Sequence, residues 1–172
     1  MKKMFFVVAA VFSMAQLHAG YDDHFQLSVF SPGELPASSY TIRGIRVSFL
    51  YGQCEDFYGL DVSMVGSVRG YMYGVQPGVL WNDVGADAYG LQVACVNYVK
   101  GDFAGVQLGL ANFGGNVCGF QGGAYNHASG CVRGFQLGVV NWSGDLAGCQ
   151  IGLANVVTGR SWSVWPIVNI GW

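Results

Sequence analysis

The eight residues Gly105-Val-Gln-Leu-Gly-Leu-Ala-Asn112 decide the fold of this chain, because close copies of them recur along it. The other clear copies occupy residues 90–97, 119–126, 134–141 and 148–155, and weaker copies begin at Gly44, Gly59 and Gly74. The shared pattern is G-Φ-Q-Φ-G-Φ-x-N, in which Φ is apolar. Self-similarity at a fixed period indicates a repeat architecture.

Apolar residues alternate strictly with small or polar residues inside each copy. Val106 and Leu108 lie on one side of the pattern, and Gln107 and Gly109 lie on the other. This period of two predicts a β-strand. The segments between copies are rich in Gly, Asn and Asp, which tolerate the positive φ of tight turns. The unit is therefore one strand and one turn, repeated every 14 to 15 residues.

The composition agrees with an apolar, all-β chain of one domain. The 172 residues are 52% hydrophobic, 15% aromatic and 10% charged, with 27 glycines. Disordered chains are charged and poor in aromatic residues, so this composition excludes disorder. Only 8 residues are Lys or Arg and the net charge is −2, so a nucleic-acid partner is not expected.

The N-terminus predicts a secretory signal peptide over residues 1–19. Lys2 and Lys3 precede an apolar run over residues 4–14, and the small residue Ala19 marks the cleavage site. The run is shorter than the ~20 residues that span a bilayer. Removal leaves residues 20–172 as a single β-repeat domain with six basic and ten acidic residues. We expect export to the outer membrane or cell surface of a two-membrane bacterium.

An antiparallel up-and-down barrel of about ten strands is the first architecture that fits. It has a first strand at about 25–30, repeats over about 44–160 and a closing strand at about 163–172. The Φ positions would face lipid, as in outer-membrane barrels. The polar face of the repeat would line the lumen or support the wall, and its glutamines are Gln76, Gln92, Gln107, Gln121, Gln136 and Gln150.

A β-solenoid with one repeat per coil is the alternative. Val106, Leu108 and Leu110 would then pack inward against Phe113 and Val117. A flat Gln/Gly/Asn face would be the contact surface. The repeat asparagines would stack as a ladder at a turn; they are Asn97, Asn112, Asn126, Asn141 and Asn155.

The C-terminus favours the barrel. Val164, Val168, Ile170 and Trp172 lie on one face of the last strand. This ending resembles the C-terminal signal of bacterial outer-membrane barrels, an aromatic last residue after alternating apolar ones. The barrel interpretation implies outer-membrane lipid and the barrel-assembly machinery as partners.

The repeat and the ending Trp165-Pro-Ile-Val-Asn-Ile-Gly-Trp172 resemble bacterial "surface repeat" proteins over residues 25–172. Gly122 departs from the pattern, because it stands where an aliphatic residue is expected. The resemblance implies an exported envelope protein with no established biochemical activity, and it transfers no catalytic residues.

No motif in the sequence indicates catalysis, a metal or a cofactor, so we do not expect an enzyme. Asp22, Asp23 and His24 are interpreted as a solvated terminus. If Arg46 faces a lumen, we expect it to pair with Asp61 on the next copy. None of the five cysteines forms a CxxC pair, and Cys95 and Cys149 are interpreted as small apolar fillers; these cysteines are Cys54, Cys95, Cys118, Cys131 and Cys149.

The function expected from the barrel is a structural, surface-display or small-pore role without catalysis. The function expected from the solenoid is that of a secreted binding or adhesion module.

Overall fold

The computed structural model describes residues 22–30, 41–159 and 164–172, and residues 22–30 by their backbone alone. The predicted signal peptide lies outside this range. The strands are β1 (Asp22–Phe30), β2 (Thr41–Cys54), β3 (Phe57–Val68), β4 (Met72–Val84), β5 (Ala88–Val93), β6 (Val96–Val99), β7 (Phe103–Leu108), β8 (Ala111–Gly114), β9 (Val117–Gly122), β10 (Tyr125–Leu137), β11 (Val140–Val157) and β12 (Val164–Gly171). No helix in the described part of the chain has the length and apolarity needed to cross a membrane.

The strands pair in parallel, each with the strand one repeat away. Gly105 lies opposite Gly90 on one side and Gly119 on the other. Pairing is parallel from β1 to β11, and only β12 runs antiparallel to its neighbour. The prediction of an antiparallel barrel is therefore wrong, and the alternative of a β-solenoid is confirmed, with about seven turns.

Each regular coil has two short walls. In one coil β7 carries the Gly-Φ-Gln half of the repeat, and β8 carries the Asn half. In the first and last coils the backbone passes the corner without losing strand geometry, so residues of both walls belong to one strand in β2, β3, β4, β10 and β11. The described part of the chain therefore has twelve strands where the sequence predicted ten.

The solenoid buries the polar side of the repeat and exposes the apolar side. Gln107 and Asn112 are fully buried, whereas Leu108 and Leu110 are 39% and 65% exposed. The prediction that Val106, Leu108 and Leu110 pack inward is wrong. The apolar core is built instead from positions just before and just after the repeat, among them Phe57, Met72, Phe103, Val117 and Leu146.

The first glycine of the repeat is required by close contact between coils. Gly105 has φ +141°, a conformation that side chains rarely adopt. A Cβ on Gly105 would lie 1.9 Å from the carbonyl oxygen of Gly90. Only glycine lets the two backbones approach this closely.

The two ends of the described sheet differ from the coils between them. β1 pairs in parallel with β2 and starts at Asp22, three residues before the predicted first strand. β12 occupies Val164–Gly171, close to the predicted closing strand, and lies antiparallel on β11. The Asp22–His24 segment is thus part of a paired strand.

Candidate functional site

The repeat glutamines form one continuous hydrogen-bonded ladder inside the solenoid. From Gln92 onward, each Nε2 donates to the Oε1 of the glutamine in the preceding coil; Gln107 donates to Gln92 at 2.8 Å, and Gln121 donates to Gln107 at 2.7 Å. The glutamine ladder comprises Gln76, Gln92, Gln107, Gln121, Gln136 and Gln150, and all six are fully buried.

The repeat asparagines form a second ladder that points the opposite way. Asn97 donates from Nδ2 to the Oδ1 of Asn112 in the following coil at 2.8 Å. The same nitrogen donates to the carbonyl of Leu108 at 2.9 Å, so the ladder also ties down the corner. The asparagine ladder comprises Asn82, Asn97, Asn112, Asn126, Asn141 and Asn155.

A buried ion pair replaces the amides at the N-terminal end of the glutamine ladder. Gln76 donates to Oδ2 of Asp61 at 3.0 Å, and Asp61 accepts from Nε of Arg46 at 2.7 Å. Burial lowers the pKa of Arg46, but the hydrogen bond and charge of Asp61 outweigh it, so the pKa lies above its ordinary value. The expected contact between Arg46 and Asp61 is present.

Within residues 41–159 the Gln and Asn side chains lie in the interior, so they offer neither a polar face to a partner nor a lining to a water-filled lumen. The Gln side chains predicted to line a pore fill the interior and bond to one another. The asparagines predicted to lie in turns lie in strands, as Asn112 does in β8. A contact surface made of the Gln and Asn side chains is therefore ruled out by their burial.

The outer wall instead carries an uncharged, apolar surface, which we call the apolar face. It consists of the residues one, three and five positions after the first repeat glycine, and none of these is charged in the copies from Gly44 to Gly148. Its most exposed members are Ile45, Phe49, Leu60, Val75, Phe135, Val62, Leu108, Leu137, Ile151, Val79, Leu110, Val139 and Leu153.

The C-terminal strand continues the apolar face. Ile170 pairs with Cys149 and Val168 pairs with Ile151, so both lie on the same outer wall. Val164, Val168, Ile170 and Trp172 are all exposed. The sequence suggested that this alternation is a barrel signal. In the structure these residues are the outward side chains at the C-terminal end, and Asn169 points inward.

The second wall displays a row of aromatic residues, each of which directly follows a repeat asparagine. Phe113 contacts Tyr98 at 6.1 Å and His127 at 6.0 Å between ring centroids, and His127 stacks on Trp142 at 6.3 Å. Partial burial in this row lowers the pKa of His127 below its ordinary value. His127 thus occupies an aromatic position.

The cysteines do not follow the prediction. Cys95 is exposed and Cys149 half-buried, so they are not core fillers; the buried thiol is Cys54, where burial raises the pKa to about 12. All five are free thiols in the described part of the chain, with Cys118 and Cys131 on adjacent coils.

Over residues 41–159 and 164–172, no group of three or more His, Cys, Asp or Glu side chains could hold a metal ion. Comparison with protein-family models, curated proteins and solved structures gives no match to this chain.

Proposed function

We propose that this chain is an exported, non-catalytic β-solenoid that works as a binding module at the cell surface. Its contact surface is the apolar face, and its partner there is a second copy of the same chain. The observation that carries the proposal is the exposure of a large uncharged surface on the outer wall.

The size of the apolar face supports a protein partner. Strands stack about 4.8 Å apart and rise about 3.3 Å per residue, so the face measures roughly 40 Å by 18 Å, or about 700 Å². Apolar patches on monomers are usually no larger than roughly 600 Å². A stable interface buries about 800 Å² on each partner, which is close to this area.

The shape and charge of the apolar face favour a second copy over a lipid surface. A flat sheet packs well against another flat sheet about 10 Å away, and a second copy presents such a sheet with the same spacing between coils. The predicted mature chain is acidic, with six basic and ten acidic residues, and so is repelled by anionic lipid.

The test compares two lysine substitutions at equally exposed positions on opposite walls. Leu108 on the apolar face is 39% exposed, and Tyr98 on the second wall is 38% exposed. Sedimentation velocity of the mature chain should give a dimer that Leu108→Lys dissociates and Tyr98→Lys preserves. Circular dichroism of each variant should retain the β-sheet spectrum.

Other outcomes overturn the proposal. A monomeric wild-type chain, or a dimer that survives Leu108→Lys, would remove the apolar face as a self-association surface. Flotation of the chain with uncharged phosphatidylcholine vesicles, lost in Leu108→Lys, would identify lipid as the occupant. Mass measurement of the exported protein tests cleavage after Ala19.

A further inference from the structure

A row of outward side chains, one position before the first repeat glycine, contains a gap. Tyr58, Tyr73 and Tyr89 are consecutive rungs of this row, which we call the tyrosine ladder. Their rings stack at centroid distances of 5.0 and 4.8 Å, with interplanar angles of 4°. The next two rungs are Ala104 and Cys118. The stack therefore stops at Tyr89, whose next rung provides only a methyl group.

Arg133 closes the gap on the far side. It is the rung after Cys118, so three strand spacings, about 14 Å, separate it from Tyr89 along the solenoid axis. The space between them is a cleft of about 280 Å³, which we call the ring notch. Tyr89, Ala104, Cys118 and Arg133 line it, together with Asp102 and Asn116 from the adjoining corner.

Two charged groups at the ring notch, Asp102 and Arg133, can form hydrogen bonds to a ligand. Oδ1 of Asp102 accepts hydrogen bonds from the backbone N and the Nδ2 of Asn116, at 2.9 and 3.0 Å. These bonds fix the carboxylate and leave Oδ2 without a partner among the described residues. Arg133 is exposed and forms no hydrogen bond or ion pair within the described part of the chain.

We propose that the ring notch binds a saccharide, with a pyranose ring stacked on Tyr89. The face of a tyrosine ring is electronegative and attracts the C–H groups on one side of a pyranose. The hydroxyls at the sugar's edge then donate to the Asp102 carboxylate and accept from the Arg133 guanidinium. Small apolar platforms with a few convergent polar groups are typical of ligand sites, and this volume suits about one ring.

A purely aromatic ligand fits the ring notch less well. It could continue the tyrosine stack, but its edge would offer no hydroxyls to Asp102 and Arg133. Charged groups desolvated without a hydrogen-bonding partner cost free energy. The ring notch is complete within one chain, so this proposal does not depend on self-association through the apolar face.

The experiment is a ¹H–¹⁵N NMR titration of the mature chain with methyl β-D-glucopyranoside. The backbone amides of Ala104 and Cys118 should shift, with millimolar affinity. Ala104→Tyr should abolish binding, because it extends the tyrosine ladder into the ring notch with a residue that three other rungs already carry. Tyr89→Ala should weaken binding about tenfold.

Tyr58→Ala is the matched control, because Tyr58 lies in the same ladder, is 37% exposed against 40% for Tyr89, and does not line the ring notch. It should bind like the wild type. Absence of binding at tens of millimolar, or binding that persists in Ala104→Tyr, would overturn the proposal. Indole binding in place of the glucoside would assign the site to aromatic ligands instead.

Discussion

Truncation of one glutamine in the middle of the glutamine ladder should destabilise the solenoid more than truncation of an outward leucine. Gln107→Ala deprives two neighbours of their partners at once. The Oε1 of Gln92 loses its donor, and the Nε2 of Gln121 loses its acceptor. A buried polar group without a partner costs about 1–3 kcal/mol, so the two together cost about 2–6 kcal/mol.

The comparison variant is Leu110→Ala on the apolar face. Leu110 is 65% exposed, so its truncation should cost less than about 1 kcal/mol. An inward-facing leucine would cost about 2–5 kcal/mol on the same change. Gln107→Leu separates the cost of the lost side-chain volume from the cost of the lost hydrogen bonds, because leucine fills the volume and still leaves both neighbouring amides unpaired.

Urea unfolding followed by circular dichroism measures all three variants, with native-state hydrogen exchange to locate the affected coils. Solenoids lose stability coil by coil, so the largest loss of protection should centre on the coil of Gln107. A cost below about 1 kcal/mol for Gln107→Ala, together with a larger cost for Leu110→Ala, would refute the inward placement of the amides.

Three further perturbations test the packing. Gly105→Ala should destabilise by at least about 2 kcal/mol, because of its positive φ and the backbone 1.9 Å from the new Cβ. Gly114→Ala is its control in the same unfolding assay and should change stability by less than about 1 kcal/mol, since its new methyl meets a side chain at 3.0 Å. Arg46→Gln and Asp61→Gln should each cost about 3–5 kcal/mol and the double variant much less, as a double-mutant cycle would measure; additive losses would contradict a coupled pair. A thiol reagent at pH 8 should label the exposed cysteines and spare Cys54 until the chain unfolds, because its pKa is about 12; rapid native labelling would contradict its burial.

The sequence predicted the all-β class, the period of 14 to 15 residues and the alternation within each copy. It did not predict which side of the alternation faces inward. The barrel interpretation placed Val106 and Leu108 outward against lipid, and the solenoid interpretation placed them inward. In this solenoid the interior is narrow, and each Gln finds its hydrogen-bond partner in an identical Gln one coil away. A polar side chain that repeats in register can hydrogen-bond to its own copy in the next coil. The alternation within one strand does not show whether such a partner is present.

The choice of a barrel over a solenoid depended on the C-terminal strand. Apolar residues at Val168 and Ile170 are what a lipid-facing strand requires, but they are also what the outer wall of every coil carries. The near-identity of the repeats was the better signal, because neighbouring coils of a solenoid share one environment. The tyrosine ladder could also have been found from sequence, since Tyr58, Tyr73 and Tyr89 each precede a repeat glycine.

The direction of the two amide ladders determines what each end of the solenoid must supply. The glutamine ladder donates toward the N-terminus, so its first member needs an acceptor and its last needs a donor. Asp61, an acceptor when ionised, meets Gln76 at one end, and Nδ2 of Asn169 donates to Gln150 at 3.0 Å at the other. The asparagine ladder runs the other way and begins at Asn82, where the preceding coil has Gly66 and Oδ1 remains without a partner among the described residues. The residues of the end coils therefore differ from the repeat, because the outermost amide of each ladder has no identical amide beyond it to complete its hydrogen bonds.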